Sequence, residues 1–119
     1  MRTDTTNGHL ELLLLGVLAD GPAHGYAIVA ALKDRSSGVV DVPEGSLYPA
    51  LHRLEDDGRI SSEWRPVGGR RRREYQLTET GRDVLQVQRR DWRRLADAID
   101  QVLARTTGRT ATLAVGGTA

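Results

Sequence analysis

The chain has 119 residues, a formal net charge of +1 and no cysteine. Its length predicts a single domain, and the lack of cysteine excludes a disulfide framework, a thiolate nucleophile and a cysteine-ligated metal. Residues 65–73 hold five arginines and no acid, so the rest of the chain carries a formal charge of −4. The longest apolar run is too short to span a membrane, and no signal-peptide pattern accompanies it. We therefore expect a cytoplasmic protein with no membrane partner.

Two amphipathic helices are predicted in the N-terminal third of the chain. Residues 1–8 are polar and are expected to form a flexible N-terminus. From His9 to Ala19 apolar residues recur at helical spacing, and a DGP sequence ends the run. A second helical pattern, with Tyr26 among its apolar positions, follows a short turn. We expect His24 to cap or pack at the start of this second helix.

The sequence "EGSLYPALHRLEDDG", residues 44–58, predicts a third helix. Its leucines are spaced i, i+4 and i+7, which directs one apolar stripe toward the core. Pro49 requires the helix to begin near Glu44 to Ser46, because proline is tolerated only where its missing N–H has no intrahelical partner. The exposed side of the N-terminal half then carries the candidate contact residues Ser46, Tyr48 and His52.

Two short alternating segments, "RISSEWR" and "REYQLT", predict a β-hairpin. Gly68 and Gly69 lie between them and permit a tight reversal of the chain. Four consecutive arginines follow the glycines, so the tip of the hairpin is strongly basic. These arginines are Arg70, Arg71, Arg72 and Arg73.

A long helix is predicted from Thr78, its N-cap, to about Ala104. Large apolar residues recur along it at heptad spacing, although Gln88 interrupts the second of the two seams. Such seams are typical of a helix that packs against a partner helix. The predicted dimer contacts are Leu85, Trp92, Leu95, Ile99 and Val102. Residues 106–119 show no period and are expected to form a disordered tail.

The order of these elements predicts a mainly α-helical fold with a small β-hairpin. We interpret residues 9–78 as a winged helix–turn–helix and residues 79–105 as a dimerisation helix. The third helix suits the major groove of DNA, which is about 12 Å wide, and the arginines suit the phosphate backbone or the minor groove. The expected partners are double-stranded DNA, with an inverted-repeat operator, and a second copy of the chain.

Three segments, "LLLLGVLADGPAHGYAI", "EGSLYPALHRLEDDGRI" and "RRREYQLTETG", resemble successive blocks of the PadR-like transcriptional regulators. The resemblance extends from about His9 to the end of the long helix. It implies a dimeric winged-helix repressor of the short type, whose single C-terminal helix is exchanged against the partner subunit. It also implies that Ser46 and Tyr48 lie at the DNA surface, that the wing binds the DNA backbone and that a small-molecule effector relieves binding. Glu74 departs from the family pattern, which often has a basic or aromatic residue there.

Some features have more than one interpretation. The fold also suits a winged-helix module for protein–protein or RNA contact, which would show neither a preferred palindrome nor a steep salt dependence. His52 is equally a plain surface residue or a base or phosphate contact, and Trp92 is either dimer core or a flat wall for a small aromatic effector. No cofactor, metal site or catalytic function is expected, because the histidines are not paired at ligand spacing and no catalytic motif is present.

Overall fold

The fold is described from a computed structural model, which covers the backbone of residues 3–106 and the side chains of residues 9–104. This part of the chain contains four helices and one three-stranded antiparallel sheet, which confirms the predicted fold class. In chain order the elements are α1 (Thr3–Leu18), β1 (Ala23–His24), α2 (Gly25–Arg35), α3 (Glu44–Asp56), β2 (Ile60–Val67), β3 (Arg70–Leu77) and α4 (Glu79–Thr106). Residues 107–119 of the predicted tail, and residues 1 and 2 of the predicted flexible N-terminus, lie outside the described residues.

The first two helices differ from the prediction in two details. Helix α1 begins at Thr3 rather than at His9, because an apolar period cannot detect helical turns made of polar residues. In α2, Tyr26 is 75% exposed and does not belong to the apolar face. The buried positions of this helix include Ile28 and Leu32, and Tyr26 lies about 200° around the helix axis from Ile28.

The chain divides between Gln86 and Val87 into two compact units. The first unit has a mainly aliphatic core formed by residues of α1, α2, α3, the sheet, the loop before α3 and the start of α4. The apolar stripe of α3 is confirmed as part of this core, since Leu47, Leu51 and Leu54 are at most 1% exposed. Burial of that stripe leaves the opposite side of α3 open to solvent.

The sheet has the strand order β1-β3-β2. The hairpin of β2 and β3 matches the prediction, whereas β1 is an addition, because two residues are too few to show a period. Ala23 pairs with Tyr75 and His24 with Glu74, so the hairpin is joined to the residues directly before α2. The expected role of His24 is confirmed, since its Nδ1 accepts a hydrogen bond from the Ala27 N–H at 3.3 Å.

The start of α4 is held against the loop between α3 and β2. Thr78 is the N-cap, as predicted: its Oγ1 accepts a hydrogen bond from the Gly81 N–H at 3.0 Å and donates one to the Gly58 carbonyl at 2.6 Å. A Cβ at Gly81 would overlap the carbonyl oxygen of Arg59 and lie 3.0 Å from its carbonyl carbon. The close approach of these two backbone segments therefore requires glycine.

Candidate nucleic-acid interface

Helix α3 begins at Glu44, within the range that the sequence predicts. The carbonyl oxygen of Pro43 accepts hydrogen bonds from the N–H groups of Ser46 and Leu47, at 3.0 Å each. Pro49 then lies in the second turn, although proline is best tolerated in the first. Because Pro49 has no N–H, the carbonyl of Gly45 receives no hydrogen bond from the residue four positions on.

The open side of α3 carries Tyr48 and His52, one helical turn apart. Tyr48 is 42% exposed, and His52 is also exposed. Ser46 is half-buried and lies about 200° around the helix from Tyr48. The structure thus brings two of the three predicted contact residues onto one surface and places Ser46 on another side of the same helix end.

The phenol of Tyr48 rests against the first residue of α2. A Cβ at Gly25 would lie 2.5 Å from the Tyr48 Oη and 3.0 Å from its Cζ. Gly25 is buried, and the absence of a side chain there creates the space that the phenol occupies. This contact joins two helices and orients Tyr48. This contact could not be predicted from the sequence, which shows Gly25 only as a residue at the start of a helix.

The tip of the hairpin is a two-residue turn. Val67 pairs with Arg70, and the two residues between them, Gly68 and Gly69, have φ angles of 59° and 80°. Positive φ at both central positions is characteristic of the type I′ turn, which glycine adopts without steric cost. The predicted tight reversal is confirmed, and it sets the register of both strands.

The four arginines are divided between the two faces of this hairpin, which we call the wing, because successive side chains of a strand point to opposite faces. Arg71 and Arg73 share a face with Trp64, which pairs directly with Arg73. Their guanidinium carbons lie 5.7 and 5.5 Å from the centroid of the Trp64 ring, within cation–π range. Arg70 and Arg72 lie on the opposite face. The four consecutive arginines therefore form two pairs, one on each face of the wing.

The face of Arg70 and Arg72 also carries an ion-pair cluster. The Arg65 guanidinium lies 2.6 Å from the Glu63 carboxylate and 3.1 Å from the Glu74 carboxylate. Glu74, the departure from the family pattern, is therefore a partner of Arg65. Because two carboxylates surround Arg65, the positive charge of this face is concentrated at Arg70 and Arg72.

Arg73 differs from Arg70, Arg71 and Arg72, because it is hydrogen-bonded and ion-paired to other residues of the chain. Its Nε donates a hydrogen bond to the Ser62 Oγ at 2.8 Å, and its Nη2 lies 3.6 Å from Oε2 of Glu55, near the end of α3. Ser62 donates a hydrogen bond to the same carboxylate oxygen at 2.6 Å. This network ties the wing to α3. The other three arginines of the row form no ion pair with any residue among 9–104.

Tyr75 follows the arginines in β3 and is buried. Burial raises the pKa of its phenol above the usual value of 10.0; Arg73 opposes this shift, whereas Tyr48 and Glu55 add to it. The fold therefore favours the neutral phenol. Tyr75 is itself a residue of the wing, and its interactions with Tyr48 and Glu55 bring it close to α3, at the junction of the two candidate DNA-contacting elements.

The second unit carries a stripe of apolar residues on α4. Trp92, Leu95, Ile99 and Val102 are between 43% and 64% exposed and follow the predicted heptad spacing. Leu85, the fifth predicted dimer contact, is only 5% exposed, because it packs in the core of the first unit. Four of the five predicted residues are therefore exposed to solvent along α4, and Leu85 is a core residue of the first unit.

The remaining surface shows little other specialised chemistry. Among the described residues, no group of three His, Asp or Glu side chains is arranged to hold a metal ion. No helix in the described range is long and apolar enough to cross a membrane. The distinctive side chains are cationic and aromatic, and they lie on α3 and the wing.

An open helix surface, a basic hairpin tied to that helix and a short third strand define the winged-helix class of DNA-binding proteins. The family model described as the transcriptional regulator PadR-like family matches residues 14–87. The chain belongs to this family, so the resemblance found in the three sequence blocks is confirmed and the protein is a transcriptional regulator.

Individual relatives agree with this assignment. "Transcriptional regulator Rv3488" of Mycobacterium tuberculosis is 41% identical over 87 residues, which are 73% of this chain and 78% of that protein. The crystal structure of a PadR family transcriptional regulator from Eggerthella lenta is similar with a TM-score of 0.72 and 34% identity, covering 84% of this chain and 86% of that one. A transcriptional regulator from Clostridium thermocellum gives a TM-score of 0.76 at 25% identity, covering 83% of this chain and 97% of that one.

Proposed function

We propose that the protein is a repressor that binds an inverted-repeat operator as a homodimer and releases it when a small aromatic effector binds near Trp92. One observation carries the DNA-binding part of this proposal. The open side of α3, with Tyr48 and His52, lies on the same helix that Glu55 ties to a basic hairpin. A helix that fits the major groove and a cationic hairpin are thereby joined by hydrogen bonds and an ion pair.

In this proposal α3 is the recognition helix in the major groove. The Tyr48 hydroxyl and the His52 imidazole can both donate and accept hydrogen bonds, so each can bind a base edge or donate to a phosphate. The contact with Gly25 already restricts the Tyr48 phenol. Less side-chain entropy is therefore lost when the hydroxyl binds a base.

The wing is the proposed backbone clamp. Arg70, Arg71 and Arg72 are the proposed phosphate contacts, because none of them forms an ion pair with a described residue. Arg73, bound to Ser62 and Glu55, is proposed to hold the wing in position instead. Its loss would weaken DNA binding by freeing the wing rather than by removing a phosphate contact.

Binding to a palindrome selected from random duplexes, and to a mixed-sequence duplex, separates these roles. Tyr48→Ala should reduce the preference for the palindrome by ~1–3 kcal/mol and leave the salt slope unchanged. Combined replacement of Arg70, Arg71 and Arg72 by Ala should weaken binding to both duplexes and reduce the slope by ~0.9 for each phosphate that is no longer neutralised. Arg65→Lys is the control in the same hairpin, since it keeps the charge that is paired with Glu63 and Glu74 and should leave the salt slope unchanged. An unchanged slope in the triple variant would show that the wing does not contact DNA.

The apolar stripe of α4 is the proposed dimer interface. A helix of this length extends about 40 Å at ~1.5 Å per residue, and heptad stripes of this kind pack against partner helices. Leu95→Glu should convert the dimer to a monomer in sedimentation velocity and abolish palindrome binding. Arg93→Glu introduces the same side chain about 200° around the helix and should leave the dimer intact. A stable monomer at micromolar concentration in the parent protein would contradict the proposal.

Trp92 is the proposed wall of the effector site. With Trp64 replaced by Phe, all indole emission comes from Trp92, because the chain has two tryptophans. A planar aromatic compound should then change this emission, and the same compound should lower the operator affinity of the parent protein in step. An emission spectrum typical of full solvent exposure in the free dimer would contradict the assignment.

Repression itself is tested by transcription in vitro from a promoter that carries the selected palindrome. Added protein should reduce transcript yield, and an aromatic effector should restore it. A module for protein or RNA contact would give no selected palindrome and no steep salt dependence, and an activator would raise the transcript yield.

A further inference from the structure

We infer that Trp64 is a positioning residue of the wing, which holds the Arg71 guanidinium in the direction of the DNA backbone. The inference rests on the proposed function, since it concerns how the wing presents its charge. Trp64 has no role in the sequence pattern beyond a place in the first strand of the hairpin. Its role follows from the register and from the two stacked arginines.

A continuous series of contacts runs from α3 to the wing tip. Glu55 binds Ser62 and Arg73, and Arg73 lies 5.5 Å from the Trp64 ring centroid. Arg71 lies 5.7 Å from the same centroid. Each member therefore contacts the one before it, and Arg71 is the last in the series.

Burial does not explain why an indole stands at this position. Trp64 is 54% exposed, so the core gains little from it. Tryptophan is the best aromatic partner for a guanidinium, and an exposed stack of this kind contributes ~0.5–1 kcal/mol. Arginine otherwise loses much rotamer freedom when it binds a phosphate. Stacking on Trp64 restricts Arg71 before DNA arrives, so less freedom remains to be lost.

The two faces of the wing provide an internal control. Arg71 stacks on Trp64, whereas Arg70 lies on the opposite face and does not. If Trp64 acts through Arg71, its removal should have no effect once Arg71 is absent. Its removal should keep its full effect when Arg70 is absent instead. A general loss of wing structure would not distinguish the two arginines.

The experiment is a pair of double-mutant cycles, measured by fluorescence anisotropy with a mixed-sequence duplex at low salt. Trp64→Ala should weaken duplex binding by roughly 2- to 5-fold, which is the fold-change equivalent of one exposed stack. In the Arg71→Ala background the same substitution should change the affinity by less than the error of the measurement. In the Arg70→Ala background it should again cost roughly 2- to 5-fold. The Trp64→Ala variant should also keep the salt slope of the parent, since it retains every charge.

Two outcomes would overturn the inference while leaving the proposed function intact. One is a parent that binds DNA with a steep salt slope, together with a Trp64→Ala variant that binds equally well. The other is a loss of equal size in the Arg71→Ala and Arg70→Ala backgrounds. A parent with no salt-dependent duplex binding would instead remove the proposed function, and this inference with it. If Trp64→Ala does not fold, Trp64→Phe can replace it in the same cycle. Its loss of duplex affinity should be smaller, and this loss must also vanish in the Arg71→Ala background.

Discussion

Gly25→Ala should separate DNA specificity from stability. The added methyl group would lie 2.5 Å from the Tyr48 Oη, 3.0 Å from Cζ and 3.1 Å from Cε1. All three atoms belong to the outer part of a side chain with an exposed surface, so the phenol can swing away while the backbone stays in place. We therefore expect a folded protein with a displaced Tyr48.

The magnitudes follow from these distances. To restore ordinary contact at ~3.5 Å, the phenol must move by about 1 Å, and an off-rotamer tyrosine costs ~0.5–1.5 kcal/mol. Alanine at a helix position recovers up to ~1 kcal/mol relative to glycine, so the free energy of unfolding should change by about 1 kcal/mol or less. A hydrogen bond does not survive a displacement of ~1 Å, and removal of a base contact costs ~1–3 kcal/mol, or roughly 5- to 150-fold in preference for the selected palindrome.

The assay combines thermal unfolding with competition between the selected palindrome and a mixed-sequence duplex. The Gly25→Ala variant should melt close to the parent but discriminate as poorly as Tyr48→Ala. In the Tyr48→Ala background, Gly25→Ala should cause no further loss of discrimination. Full discrimination by a folded Gly25→Ala variant would refute the link between this glycine, the orientation of Tyr48 and base readout.

Two further predictions concern stability. Gly81→Ala should destabilise the protein by ~1–3 kcal/mol in chemical unfolding, because its methyl group meets the backbone of Arg59, whereas Gly16→Ala, with nothing within 4 Å, should be neutral or stabilising. Equal effects of the two substitutions would contradict the contact. Burial raises the pKa of Tyr75, so its neutral form stabilises the fold at pH values below 10.0, and this contribution should be lost as the pH rises through the elevated pKa. Urea unfolding across alkaline pH should show that loss diminished in Tyr75→Phe but not in Tyr26→Phe, whose ring is 75% exposed.

Features that depend on neighbouring residues in the chain were predictable from the sequence. The leucine stripe of α3, the Thr78 cap and the glycine turn of the wing each depend on a local rule, and each is confirmed. Leu85 shows what such a rule cannot predict. A heptad position says that a residue is buried, but it does not say whether the protomer core or a partner helix covers it.

Contacts between elements were not predictable in the same way. The pairing of Ala23 and His24 with β3 involves too few residues for any period. The binding of Arg73 by Glu55 and Ser62 depends on where the end of α3 meets the wing. The stack of Arg71 on Trp64 is an intermediate case, because a two-residue turn with Val67 opposite Arg70 already places Trp64 on the same face as Arg71.

The central claim is that α3 and the wing together read a symmetric DNA site, and selection from a random duplex library tests it most directly. We expect an enriched inverted repeat with half-sites separated by ~10 bp or a multiple of that spacing. At physiological salt the selected duplex should bind at least ~10³-fold more tightly than a scrambled one. The logarithm of its affinity should also fall steeply and linearly with the logarithm of salt concentration. Failure of any palindrome to enrich, together with duplex binding that is insensitive to salt, would contradict the claim.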